Sequence, residues 1–383
     1  MTAERSDPHR LTLVIPALEY GGAERVLAMM ADHWAQSGKE VTLITLAAAA
    51  TDTYKLDDRV RRIALDVTGT STGPFSAIVN NLRRLLRLRQ AIRQSRPDVI
   101  ISFIDRINVM TLLATAGRPR NVIISERTDP SRHSIGRAWS WLRRRVYRRC
   151  RALTVQSEAV RKQMQPIVGS RPVYVIPNPA PPFDARQKQT RSPDPRADEQ
   201  TTSPRSPRRT IVGMGRLSPE KGFDLLIDAF CRIAEEQPGW QLQILGEGPC
   251  RAQLEERIEQ RGLSDRVALA GWVEHPEAVL SRSDLFVLPS RYEGFPNALL
   301  EALACGLPAV VFDVCPSDIV REGLDGLRVP AGDVSALSAA MNRLMSNETE
   351  RARMSQNAPE VIKRFSREQF FAAWDAVLLG DDR

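Results

Sequence analysis

The stretch that decides the fold runs Asp284-Leu285-Phe286-Val287-Leu288, then Glu293-Gly294-Phe295-Pro296-Asn297-Ala298-Leu299-Leu300-Glu301, then Ala302-Leu303-Ala304-Cys305-Gly306. An apolar run of strand length enters a loop closed by Glu-Gly-Phe-Pro, and a helix follows. The reading starts that helix at Pro296, because the N–H that proline lacks would have no partner in the first turn. Free backbone N–H groups and the positive end of a helix dipole then point at one place, which suits a phosphate. One carboxylate lies ahead of the helix and one in its second turn. They suggest a grip on a sugar nucleotide, with amides on phosphate or sugar oxygens, Glu301 on paired ribose hydroxyls and Glu293 beside the sugar. The alternative is an amphipathic helix with an ordinary glutamate at each end.

At 383 residues the chain is too long for one ordinary core, so two domains are expected. An apolar content of 42% and a charged content of 26% are those of a globular protein. No apolar run approaches the roughly 18–20 residues that a membrane span needs. The polar start from Met1 to Arg10 leads directly into a strand, and no signal peptide is expected. Cys150, Cys231, Cys250, Cys305 and Cys315 form no C-x-x-C pair, which argues against zinc and disulfides and for a reducing, cytoplasmic compartment. Net charge is +8, yet only 6 of the 54 basic residues are lysines. Where the arginines cluster therefore says more than their sum.

Short apolar runs alternate with helical patterns, as strands buried on both faces by helices would. Residues 1–180 read as one doubly wound α/β domain, with strands near Leu11–Pro16, Val41–Leu46, Arg61–Val67, Asp98–Phe103, Asn121–Ser125, Ala152–Val155 and Val173–Ile176. Residues 181–209 turn polar and proline-rich and read as a linker or insertion that buries too little surface to order. Residues 210–365 restart the alternation, with strands near Thr210–Met214, Leu242–Leu245, Val267–Ala270, Leu285–Leu288 and Ala309–Phe312. The tail, about Arg351–Leu379, reads as helical. Two such domains in series place a ligand cleft at the carboxyl ends of their strands.

A second motif, Gly213-Met214-Gly215-Arg216-Leu217-Ser218-Pro219-Glu220-Lys221-Gly222, also sits between strand and helix. Glycines let the backbone approach a ligand closely. Arg216 and Lys221 are spaced to put two cations on one diphosphate and to stabilise the charge of a departing nucleoside diphosphate. No Asp-x-Asp pair at a strand end offers a metal that task. An ordinary loop with solvated charges is the other reading. Gly246-Glu247-Gly248-Pro249 and Gly271-Trp272-Val273 end further strands and offer a base and ribose pocket with Trp272 as its wall.

In the first domain Gly21-Gly22-Ala23-Glu24-Arg25 opens the first helix, a candidate phosphate or acceptor contact. It is not G-x-G-x-x-G, so a dinucleotide site gains little support. Asp105-Arg106 and Ser125-Glu126-Arg127 follow strands and would project charge into the cleft, unless they are salt-bridged structural pairs. A helix at about Phe75–Gln94 carries Arg83, Arg84, Arg87, Arg89 and Arg93, with a mainly apolar stripe through 82, 85, 86 and 89. Arg137–Arg151 is a second basic segment, with Trp139, Trp141 and Tyr147. Basic amphipathic helices with tryptophans suit an anionic membrane surface, or else a solvated face. No nucleic-acid-binding module is recognisable.

Gly-Gly-Ala-Glu-Arg at 21–25, Gly-Arg-Leu at 215–217 with Lys221, and the E-x7-E spacing of Glu293 and Glu301 together resemble glycosyltransferase family 4, retaining enzymes of the GT-B fold. The resemblance covers nearly the whole chain apart from 183–209. It implies two facing Rossmann-like domains and a nucleotide sugar, most often UDP-linked, held mainly by the second without a required metal. Arg216 and Lys221 would bind the diphosphate, and Glu293 and Glu301 the donor sugar and ribose. The final helix, 366–380, would cross back to the first domain.

Within the family the chain is similar to bacterial N-acetylgalactosaminyltransferases that extend lipid-linked glycans. The likeness lies in Ile101-Ser102-Phe103-Ile104-Asp105, Ile123-Ile124-Ser125-Glu126 and the Arg-rich helix. It implies that Arg83, Arg87 and their neighbours contact the diphosphate of a polyprenyl carrier at the cytoplasmic face of the membrane. Many relatives carry histidine where this chain has Arg127, which makes that group a permanent cation and removes a base-like role. The implied activity is transfer of a hexose or N-acetylhexosamine to a polyprenyl-diphosphate-linked saccharide. A transferase acting on a soluble or lipid acceptor, a nucleotide-sugar epimerase and a non-catalytic binding protein are the alternatives.

Overall fold

The computed structural model describes residues 7–19, 21–69, 73–117, 121–128, 130, 135–182, 208–316 and 318–380. The expected linker at 181–209 falls largely outside them. The chain forms two compact units, Met1–Asn178 with Glu368–Arg383, and Pro179–Arg367.

The first unit is built on seven strands: β1 (Arg10–Ile15), β2 (Glu40–Thr45), β3 (Arg61–Ala64), β4 (Val99–Phe103), β5 (Val122–Ser125), β6 (Ala152–Val155) and β7 (Val173–Val175). Their order is β3-β2-β1-β4-β5-β6-β7, parallel throughout. Helices α1 (Gly22–Gln36), α2 (Pro74–Ser95), α3 (Asp105–Ala114), α4 (Arg137–Val146) and α5 (Glu158–Val168) supply the crossovers. Alternation within β1 divides the core. Leu11, Leu13 and Ile15 pack with Val26, Met30 and Trp34 of α1, while Val14 faces Leu88 and Ile92 of α2 and Val109 of α3. Continuous apolar strands therefore follow from helices on both faces.

The second unit has β8 (Arg209–Met214), β9 (Trp240–Leu245), β10 (Val267–Gly271), β11 (Leu285–Leu288), β12 (Ala309–Phe312) and β13 (Gly326–Val329), in the parallel order β10-β9-β8-β11-β12-β13. Helices α6 (Phe223–Cys231), α7 (Arg251–Gln260), α8 (Pro276–Leu280), α9 (Asn297–Ala304) and α10 (Val334–Ser346) cover it. Strand β13 escapes the sequence reading because Gly-Leu-Arg-Val is too short and mixed to register as an apolar run.

The tail expected to be helical at about Arg351–Leu379 is helical in pieces. It runs as α11 (Glu348–Asn357), a 3-10 turn at Ala358–Glu360, α12 (Val361–Arg364) and α13 (Arg367–Leu379). Pro359, which lacks an N–H to continue an α-helix, sits in that turn. Helix α13 packs into the first unit. Trp374 is fully buried, its ring edge-on to Trp34 at 6.2 Å, and Trp34 Nε1 donates to Asp375 at 3.1 Å.

In each sheet the chain reverses its direction of strand addition between two neighbours, β1 and β4 in the first, β8 and β11 in the second. Loops leaving such a pair diverge to opposite faces and leave a crevice at the carboxyl ends, where open α/β sheets bind ligands. Both sequence motifs of the second unit lie there.

Candidate active site

Strands β8 and β11 are hydrogen-bonded neighbours, with Leu285 opposite Ile211 and Phe286 opposite Val212. This pairing brings together residues 72 positions apart in sequence: Lys221 Nζ donates to Glu293 Oε1 at 2.7 Å. Ser290 Oγ donates to the same oxygen at 2.6 Å. Glu293 is thereby fixed through one oxygen. Arg216 is exposed, with no side-chain partner among the described residues. Lys221, which the sequence reading aims at a diphosphate, is thus held by a carboxylate of the same site, while Arg216 is unengaged.

The glycines explain how these loops approach. Gly222 has φ +66°, and a Cβ there would lie 2.1 Å from the Pro289 carbonyl oxygen. Only glycine satisfies both the left-handed backbone and that contact. Gly246 repeats the device, since its Cβ would sit 2.0 Å from the Gly215 carbonyl oxygen. The turns after β8, β9 and β11 are thus pressed together by backbone contact.

Pro296 is the residue before α9, not its first helical residue, with an extended backbone (φ −81°, ψ 93°). Leu299 N–H still reaches its carbonyl at 3.1 Å, so the proline closes the first turn from outside. Asn297 and Glu301 are one helical turn apart on the same face, and Glu301 is buried. Phe295 turns into the core, edge-on to Phe365 at 5.8 Å. Of the expected contacts in this segment, Phe295 has only backbone to offer a ligand. Gly294 precedes it in the same loop. Trp272 is 46% exposed, whereas its neighbour Val273 packs on the core beneath α8 and α9.

In the first unit three of the four expected outward charges, Asp105, Glu126 and Arg127, are buried, whereas Arg106 is exposed and its Nη2 donates to the Ile135 carbonyl at 3.2 Å. Asp105 starts α3, and Glu126 is 1% exposed with Oε1 accepting from Tyr147 Oη at 2.6 Å. Burial raises the Glu126 carboxyl to about 7, against the Tyr147 hydrogen bond and Arg143, with Asp105 adding to the rise. Arg127 stacks on Phe103, 3.7 Å from the ring centroid, and its Nη1 donates to Asn178 Oδ1 at 2.7 Å. Burial lowers it to about 9, so it stays a cation at neutral pH. Ile104, between β4 and α3, has φ +76°. A β-branched residue there is strained, and such strain gathers at sites where the backbone is over-determined. At the mouth of β1, Gly21 caps α1 and Gly22 begins it. A Cβ on Gly21 would meet the Glu24 carboxylate at 2.0 Å, so the helix's own Glu24 folds over its N-terminus.

The family model "Glycosyltransferase Family 4" matches residues 20–182 and "Glycosyl transferases group 1" matches 196–361. The lipopolysaccharide core biosynthesis glycosyltransferase LpsD of Rhizobium meliloti is 31% identical over 73% of this chain and 74% of its own length. The chain belongs to glycosyltransferase family 4. A Campylobacter jejuni α-1,4-N-acetyl-D-galactosaminyltransferase, named for an undecaprenol-diphosphate-linked acceptor, is 26% identical over 95% of this chain and 97% of its own. An exopolysaccharide phosphotransferase of Streptomyces coelicolor is 29% identical over 94% of this chain, which spans only 39% of that protein. The fold is GT-B: the crystal structure of Anabaena HepE with UDP and glucose superposes with a TM-score of 0.78 at 19% identity, covering 97% of this chain and 100% of that one.

The basic helices of this glycosyltransferase separate into two classes of arginine. Arg84 donates to the Val67 and Gly69 carbonyls, and Arg89 to those of Ala114 and Ala116, so both brace the backbone. Arg83 and Arg87 are exposed, with no partner among the described residues. The apolar stripe of α2 does not all face inward. Leu88, Ala91 and Ile92 are buried, but Phe75 (79%), Ile78 (67%), Val79, Leu82 and Leu86 are exposed at helical spacing. In α4, Trp141 is exposed beneath Arg145, whereas Arg143, and Tyr147 just past the end of the helix, turn inward beside Glu126. Sequence reasoning missed Tyr147, Arg143 and Asn178 as partners of Glu126 and Arg127, since nothing local marks which basic residue turns inward. It missed Ser290 although that residue lies three before Glu293. Among the described residues no cluster of potential metal ligands occurs, and no helix is long and apolar enough to cross a membrane.

Proposed function

We infer that this family 4 glycosyltransferase moves a hexose or N-acetylhexosamine from a UDP-sugar to a hydroxyl of a polyprenyl-diphosphate-linked saccharide, with retention, in cell-surface glycan assembly. The observation that carries the reading is the Lys221–Glu293 pair at the switch point of the second sheet, with Arg216 unengaged beside it. A nucleotide diphosphate offers Lys221 a stronger anion than one carboxylate. Lys221 and Arg216 then face the leaving diphosphate, and Glu293 turns to the sugar hydroxyls. Glu301 and Trp272 take ribose and base.

In this reading no enzyme nucleophile is needed. The bond from C1 to the diphosphate oxygen breaks, the acceptor oxygen bonds C1 on the same face, and its proton passes to the departing phosphate oxygen. Lys221 and Arg216 stabilise the charge that builds there, so the reading requires no metal. A trapped sugar adduct on Glu293 would contradict it.

The exposed stripe of α2, flanked by Arg83 and Arg87, suits a carrier lipid embedded in an anionic leaflet, which supports a peripheral position at the cytoplasmic face of the membrane. The N-acetylgalactosaminyltransferase relative, matched over nearly its full length, supports a lipid-linked acceptor. The test is incubation with a panel of UDP-sugars and polyprenyl-diphosphate saccharides, the product read by mass and by the anomeric coupling of the new linkage. Transfer with inversion, or transfer to soluble sugars alone, defeats the corresponding part. Conversion of donor to another sugar without acceptor would reveal an epimerase instead.

A further inference from the structure

The two loops that meet at Lys221 and Glu293 are also tied together by a residue outside both motifs. Arg291 lies in the loop after β11, two positions before Glu293. Its backbone N–H donates to the Glu220 carbonyl at 2.8 Å, and its Nη1 donates to the Pro219 carbonyl at 2.6 Å. The guanidinium also forms a two-pronged pair with Asp224 in the first turn of α6, Nη1 to Oδ1 at 2.9 Å and Nη2 to Oδ2 at 2.6 Å. Pro219 and Glu220 form the 3-10 turn that ends in Lys221. Arg291 therefore takes up two carbonyls of the turn immediately before the lysine, and Asp224, three residues after the lysine, holds the guanidinium that does so.

We propose that Arg291 and Asp224 are positioning residues of the donor site, forming a clasp that sets the Lys221 turn against the Glu293 loop.

Three observations support the clasp. First, both terminal nitrogens of Arg291 are committed to protein, which suits an internal brace. Second, the Glu220 carbonyl accepts from the Arg291 N–H, and the Pro219 carbonyl, which already closes the 3-10 turn by accepting from the Gly222 N–H at 3.3 Å, takes Arg291 Nη1 as a second donor. Third, burial pushes the Asp224 carboxyl up, yet the hydrogen bond from Arg291 and its charge hold it below the ordinary value. Arg291 is correspondingly raised, chiefly by that same bond. A planar fork is needed here, because one cation must serve a carboxylate and a carbonyl at once, and lysine does not reproduce that geometry. Both side chains are partly exposed (39% and 30%), so the pair adds little to global stability and its effect is local.

The proposal rests on the donor-site reading above, and its test separates the two. Arg291→Gln, Arg291→Lys, Asp224→Asn and the exchange Arg291→Asp with Asp224→Arg are compared with the wild type. The measurements are UDP affinity by calorimetry, donor KM and kcat, thermal midpoint, and deuterium exchange of the 215–223 peptide without ligand. Either single loss should speed exchange of that peptide and weaken UDP about tenfold, as expected when a positioned group is set loose. The thermal midpoint should move by no more than about 4 °C. Lysine should fail to rescue, and the exchange should recover part of the affinity. Unchanged peptide exchange in both Arg291→Gln and Asp224→Asn overturns the clasp whatever happens to UDP. Loss of affinity matched by a proportionate fall in midpoint, with no rescue in the exchange, also overturns it. If the wild type binds no UDP, the donor-site reading fails and the deuterium exchange alone decides the clasp.

Discussion

Replacing Glu126 by glutamine separates its burial from its hydrogen bond. Glutamine keeps an oxygen for Tyr147 Oη, 2.6 Å away, and removes the titration. In the fold the carboxyl ionises at about 7 rather than 4.5, because burial disfavours the charge. A carboxyl raised in this way contributes stability that is fully present below its unfolded pKa and is lost as pH rises through the folded one. Each pH step between 4.5 and about 7 is worth about 1.4 kcal/mol, so the cost at pH 8 is about 3 kcal/mol. The groups facing Glu126 modulate this figure. Asp105 of α3 raises the pKa, while Tyr147 and Arg143 on the α4 side lower it. Glu126→Gln should therefore be more stable than the wild type at pH 8 by up to about 3 kcal/mol. The two should converge near pH 4.5. Urea unfolding followed by tryptophan fluorescence, in a background with Trp240 and Trp272 of the second unit replaced by phenylalanine, reads the first unit through the buried Trp34 and Trp374. A stability difference that stays constant from pH 5 to 8 would refute the reasoning.

Other substitutions probe the second unit and the basic helix. Gly222→Ala places a Cβ 2.1 Å from the Pro289 oxygen at φ +66°; with a left-handed backbone alone costing about 1 kcal/mol, the loss should exceed that and UDP binding should fall with it, as denaturant midpoints and calorimetry will show. Lys221→Met should weaken UDP by about 10–100-fold, the worth of a charged hydrogen bond, and wild-type affinity in that variant would remove Lys221 from the diphosphate. Glu293→Gln should hold or raise UDP affinity while kcat falls, since it frees Lys221 and blunts contact with the sugar; a parallel loss of both would place Glu293 in a purely structural role. Arg83→Glu with Arg87→Glu should abolish flotation on anionic liposomes, whereas Arg84→Glu should act through stability, because Arg84 braces the Val67 and Gly69 carbonyls.

The doubly wound α/β class was legible because strands buried on both faces by helices are continuous apolar runs, and runs such as Leu285–Leu288, bounded by turn residues and alternating with helical patterns, fit that arrangement. The glycines at 215, 222 and 246 marked turns that permit close backbone approach. The spacing of Glu293 and Glu301 marked a loop and a helix in one element. These are local properties, fixed within a few residues by sterics and periodicity. Strand order is not local. That β8 lies beside β11, and so brings Lys221 to Glu293, depends on which edges pair once the helices cover both faces. The fate of each charge is equally non-local. Glu126 and Arg127 look outward in sequence, but Tyr147 and Asn178, supplied from elsewhere in the chain, turn them inward. Desolvation and pairing depend on distant neighbours, so only the tertiary structure decided which carboxylates and arginines this protein buries and which it leaves exposed.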